Sequence, residues 1–120
     1  MNSIIEEKSF KFATRIVKLY DHLKEKKSNL ILLNQLLKAG TSIGANVVEA
    51  EKGQSKPDFY AKMSIALKEA NETIYWINLL HETDYLSDSE FESIEKDARE
   101  ICGMLVAITK TTKENISKNN

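Results

Sequence analysis

A single proline, Pro57, and four glycines punctuate 120 residues. Tight turns draw on those two residue types, and a many-stranded chain needs a turn every few residues, so this sequence suits a few long helices. Its 42% hydrophobic share alongside 29% charged residues can fill a core and is too apolar for a disordered chain. At this length one domain is expected, burying roughly two-thirds of the surface that the unfolded chain exposes.

Four stretches carry apolar residues at spacings of three and four, the period of a helix with one buried face. The first runs from Ile4 to Lys26 behind Ser3, with Glu6 in capping-box position; there, serine and glutamate would each satisfy an orphan backbone N–H. Ile5, Phe12, Ile16, Leu19 and Leu23 form its seam. With Phe10, Ala13, Val17 and Tyr20 beside them, the apolar arc covers about 160° of the wheel, enough for more than one neighbour. The second runs from Leu30 to Lys52 behind the cap Asn29, with Leu30, Leu33, Leu36, Leu37, Ile43, Val47 and Val48 on one side. Gly40 and Gly44 lie on that side too. Each costs about 1 kcal/mol relative to alanine in a helix, so close approach of another helix is the expected compensation. The third opens at Ser55 with Pro57 in its first turn, seams through Phe59, Met63, Ala66, Ala70, Ile74 and Ile77, and ends near Glu82. The fourth follows Ser87, with Glu90 three residues on, and carries Phe91, Ile94, Ala98, Ile101, Leu105 and Ile108 to about Lys113. Residues 113–120 are expected to fray as a polar tail. The short connections near Lys27, Gly53 and Tyr85 force sequential helices to lie antiparallel, so the expected fold is all-α, an up-down-up-down four-helix bundle occupying residues 1–120 as one domain.

No apolar run reaches the roughly 18 residues of a membrane span, and Glu6, Glu7 and Lys8 stand where a secretory signal would be greasy, so the expected location is the cytoplasm, without a membrane partner. Cys102 has no second cysteine for a disulfide or a zinc site and reads as a small apolar packing residue on the last helix. The formal net charge is −1, but residues 1–27 hold seven Lys or Arg against four Asp or Glu.

The third helix carries a second stripe, Ile65, Glu69, Glu72, Trp76 and Leu79, turned away from its seam. Aliphatics and a tryptophan on an outward face point to a contact between subunits, with the glutamates pairing across it, ahead of a ligand surface. The second helix carries Ser42, Asn46 and Glu49 opposite its leucines. A di-iron bundle would join such carboxylates to Glu-x-x-His motifs; here Glu69 and Glu72 make Glu-x-x-Glu, and His22 and His81 stand outside any such motif, so no metal or other cofactor is expected. Nor is there a nucleophile with a basic partner nearby or a glycine-rich phosphate loop, and the chain reads as a non-enzyme with no catalytic residue to name. On the first helix Lys8, Lys11, Arg15, Lys18 and His22 form a basic ridge that could track phosphates if repeated around a ring of subunits; alone, such a ridge more often solvates its helix.

The segment Gly40 to Ala50, read as GTSIGANVVEA, followed by Phe59 and by Ala66 to Thr73, read as ALKEANET, with Tyr75 and Trp76, resembles the bacterial proteins encoded in intervening sequences of 23S ribosomal RNA genes. The likeness spans essentially the whole chain. It implies a four-helix bundle that assembles as a homo-oligomeric ring, typically a pentamer, without established enzymatic activity. Ser42, Asn46, Glu49, Glu69, Glu72 and Trp76 match its recurring pattern. A distant likeness is to the accessory protein of diversity-generating retroelements, which implies a nucleic acid or nucleoprotein partner; the slight acidity of this chain departs from that basic relative. An adaptor for another protein, or a carboxylate metal-binding bundle, are the alternative readings.

Overall fold

The computed structural model describes residues 3–118, and they form four helices: α1 (Ile4–Glu25), α2 (Leu30–Glu51), α3 (Lys56–Glu82) and α4 (Asp88–Lys118). The molecule is a rod of 52 × 23 × 22 Å. Each helix packs against its sequence neighbour, and α1 also meets α4, closing the four into a bundle. Side-chain pairs fix the directions. Ser3 reaches Glu51 while Tyr20 bonds Asn34 at 2.9 Å, so α2 descends where α1 rises. Likewise Cys102 meets Asn71, and His81 meets Asp88, setting α4 antiparallel to α3.

The caps follow from the sequence, with differences in detail. At Ser87 the box closes both ways: its hydroxyl accepts from Glu90 N, and the Glu90 carboxylate accepts from Ser87 N at 2.9 Å. At Ser3 and Ser55 only the serine half forms, accepting from Glu6 N and Asp58 N at 3.2 Å each. The Ser3 hydroxyl instead donates to Glu51 across the bundle, and Asp58 has one methylene fewer than the glutamate a full box uses. Two helices end without glycine. Lys27 and Asp84 take φ of 60° and 66°, and the following N–H groups of Ser28 and Tyr85 return to Leu23 O and Leu80 O, as in the turn glycine usually supplies.

Phe12, Ile16 and Leu23 of α1, Leu33, Leu36, Ile43 and Val47 of α2, Met63, Ile77 and Leu80 of α3, and Leu105 of α4 are fully buried. Each such side chain stabilises the fold by about 1.5–3 kcal/mol relative to exposure. Leu30, expected in the α2 seam, is instead 48% exposed at the first helical position, beside the turn. Three polar residues share the core. Ser9, Thr73 and Thr109 donate their hydroxyls to carbonyls of their own helices, Glu6 O, Glu69 O and Leu105 O, so none is buried unpaired.

One expectation is corrected. The polar tail does not fray at Lys113: α4 continues to Lys118, and Asn119 and Asn120 lie outside the described residues. Nothing after Lys113 breaks a helix, and Ile116 extends the buried stripe of Leu105, Thr109 and Thr112 at the same three-and-four spacing, remaining half-buried.

Candidate functional site: two outer faces of the bundle

The first face lies along the outer seam of α2 and α3. Lys62 of α3 meets Glu49 of α2 at 3.0 Å, and seven residues further along each antiparallel helix this register brings Ser42 level with Glu69. The Ser42 hydroxyl donates to Lys38 O at 2.6 Å, and the Asn46 amide donates to Ser42 O at 2.8 Å, so both groups are turned back onto their own helix. On α3, Ile65 and Glu72 are exposed while Glu69, Trp76 and Leu79 are half-buried. The stripe is thus only partly outward. The indole is long enough to lie back against the core, and it also meets the exposed ring of Tyr75 edge-to-face with ring centres 5.0 Å apart. Burial, then the neighbouring charge of Glu72, raise the Glu69 carboxyl above its ordinary value, against the smaller opposing pull of Lys68 and Lys38.

The second face, on α1 and α2, is concave. Phe10, Ala13, Thr41, Gly44, Ala45 and Val48 floor an open groove of about 680 Å³, with Glu6, Glu7 and Lys11 on its rim. Phe10 is 72% exposed and Val17, one heptad on, is 43% exposed. Phe10 and Val17 lie on the broad apolar arc of α1, which is one wall of the groove, and α2 supplies the other. The signal for the groove was available in the sequence: Thr41, Ala45 and Val48 repeat at four and three on α2, as Phe10, Ala13 and Val17 repeat at three and four on α1.

Between α1 and α4 the basic ridge has a structural occupation. Lys8 pairs with Glu100, Arg15 with Asp97, and His22 with Glu90 at 3.2 Å. Arg15 also donates to Ser93 Oγ at 2.7 Å. Of the four proposed phosphate contacts, Lys8 and Arg15 would each have to leave a carboxylate, whereas Lys11 and Lys18 form no ion pair among the described residues. His81 stacks on Phe91 with ring centres 4.0 Å apart and meets Asp88 at 2.8 Å. The Cys102 thiol donates to Asn71 Oδ1 at 3.4 Å, and burial pushes it above its ordinary value. It therefore stays protonated, the unreactive form. Among the described residues no group of three or more His, Cys, Asp or Glu side chains is placed to hold a metal ion, and no helix is long and apolar enough to cross a membrane.

None of the curated proteins matches this chain. A crystal structure from Bacteroides thetaiotaomicron, described as a protein with unknown function from the S23 ribosomal protein family, superposes with a TM-score of 0.87 at 48% identity, covering 89% of this chain and 99% of that one. The family model of the 23S rRNA-intervening sequence protein matches residues 1–107, that is, α1 to α3 and the greater part of α4. A bundle of this architecture, carrying the GTSIGANVVEA and ALKEANET segments on adjoining helices, belongs to the 23S rRNA-intervening sequence protein family.

Proposed function

We propose that this protein is a non-enzymatic scaffold that self-associates through its outer faces into a closed ring, of five copies on the family pattern, and works in the cytoplasm as a binding platform. The observation that carries the reading is Phe10, a large aromatic side chain 72% exposed beside an apolar groove of about 680 Å³. Apolar surface gathered in one place is stabilised by a partner that removes it from water, at roughly 25 cal/mol per Å². The groups that an enzyme would deploy have other occupations. Both histidines lie against carboxylates of the first turn of α4, and the lone thiol is held protonated.

Sedimentation of the full chain in dilute buffer tests this. A species several times the 13.6 kDa protomer is expected, and a clean monomer at tens of micromolar overturns the proposal. What the platform carries is a separate measurement. Nucleic acid held by Lys11 and Lys18 would bind with an affinity falling steeply as salt is added, whereas a protein client would survive nuclease treatment in a pull-down from native extract.

A further inference from the structure

We draw no further inference here: the strongest candidate, the apolar groove between α1 and α2 beside Phe10, carries both signs of charge on its rim, Glu6 and Glu7 with Lys11, and nothing in the structure shows what covers it.

Discussion

Helix α1 is held on its two flanks by opposite means. Toward α2 its backbone comes so close that a Cβ added at Gly40 would lie 2.9 Å from Ile16 Cγ1, and one added at Gly44 would lie 3.4 Å from Ser9 O. Toward α4 the approach is looser, and the gap is bridged by the arms of Lys8, Arg15 and His22 reaching carboxylates. The first flank is dry and shape-determined, and the second is wet and charge-determined. Close-packed apolar contact is insensitive to salt, while partly exposed ion pairs each contribute only about 0.2–1 kcal/mol and are screened. The rigid element of this bundle is therefore the α1–α2 pair, and the α1–α4 seam is where it yields first.

Removing the side chain that fills the dry flank has the largest expected effect. Ile16 is fully buried, and Ile16→Ala should cost about 2–5 kcal/mol through lost transfer and the cavity left behind. Urea unfolding measures it, and a loss below about 1 kcal/mol would mean that the flank is not packed as described. Gly40→Ala comes next. The new methyl meets both γ carbons and the β carbon of Ile16 within 3.3 Å, an overpacking cost of about 1–3 kcal/mol that exceeds the roughly 1 kcal/mol gained in helix propensity. The sharper form is the double variant. With Ile16 already alanine, Gly40→Ala should turn neutral or stabilising, and additivity of the two changes would refute direct contact.

A third glycine supplies the control. Nothing lies within 4 Å of a Cβ built at Gly103, which sits exposed inside α4. Gly103→Ala should therefore raise stability by about 0.5–1 kcal/mol, the propensity gain alone. A destabilised Gly103→Ala would show that this surface of α4 is occupied in solution.

These glycines show how far sequence reading reaches here. Gly40 and Gly44 announce a close approach because a helix tolerates glycine poorly without compensation, and their place among the α2 leucines aims that approach inward. Helix type, order and direction were legible for the same reason: a three-and-four period sustained over twenty or more residues admits few alternatives. The wet flank was not legible. The ridge Lys8, Arg15 and His22 shows a period but not what faces it, and its acids Glu90, Asp97 and Glu100 lie some seventy to ninety residues away on α4. The α1–α2 groove left a stripe on each helix, Phe10, Ala13 and Val17 on one and Thr41, Ala45 and Val48 on the other, but nothing in either stripe shows that the two face each other. On α3, Trp76 reads as outward from its wheel position, yet its indole is long enough to fold back over the core edge. Side-chain length is not recorded in periodicity.

On the wet flank single substitutions should do little. Lys8→Met or Arg15→Met is expected to cost about 0–1 kcal/mol, shrinking further in molar salt; a cost above about 2 kcal/mol that salt does not reduce would place the seam among the packed contacts instead. Acid acts more selectively. The backbone hydrogen bond from Ser87, ahead of the smaller help of its hydroxyl and of Lys26 and His22, holds Glu90 below the ordinary value of 4.5. A carboxyl depressed by folding contributes stability that is present above 4.5 and is lost as pH falls through the lower folded value. Acidification below pH 4.5 should thus weaken the cap of α4 and its tie to His22, loosening the α1–α4 seam while Gly40 and Ile16 still hold α1 to α2. Hydrogen exchange read residue by residue across that range separates the two flanks. Protection should fall first in the opening turns of α4. If it falls first along the inner face of α1 around Ile16, the charged seam is the stronger of the two attachments.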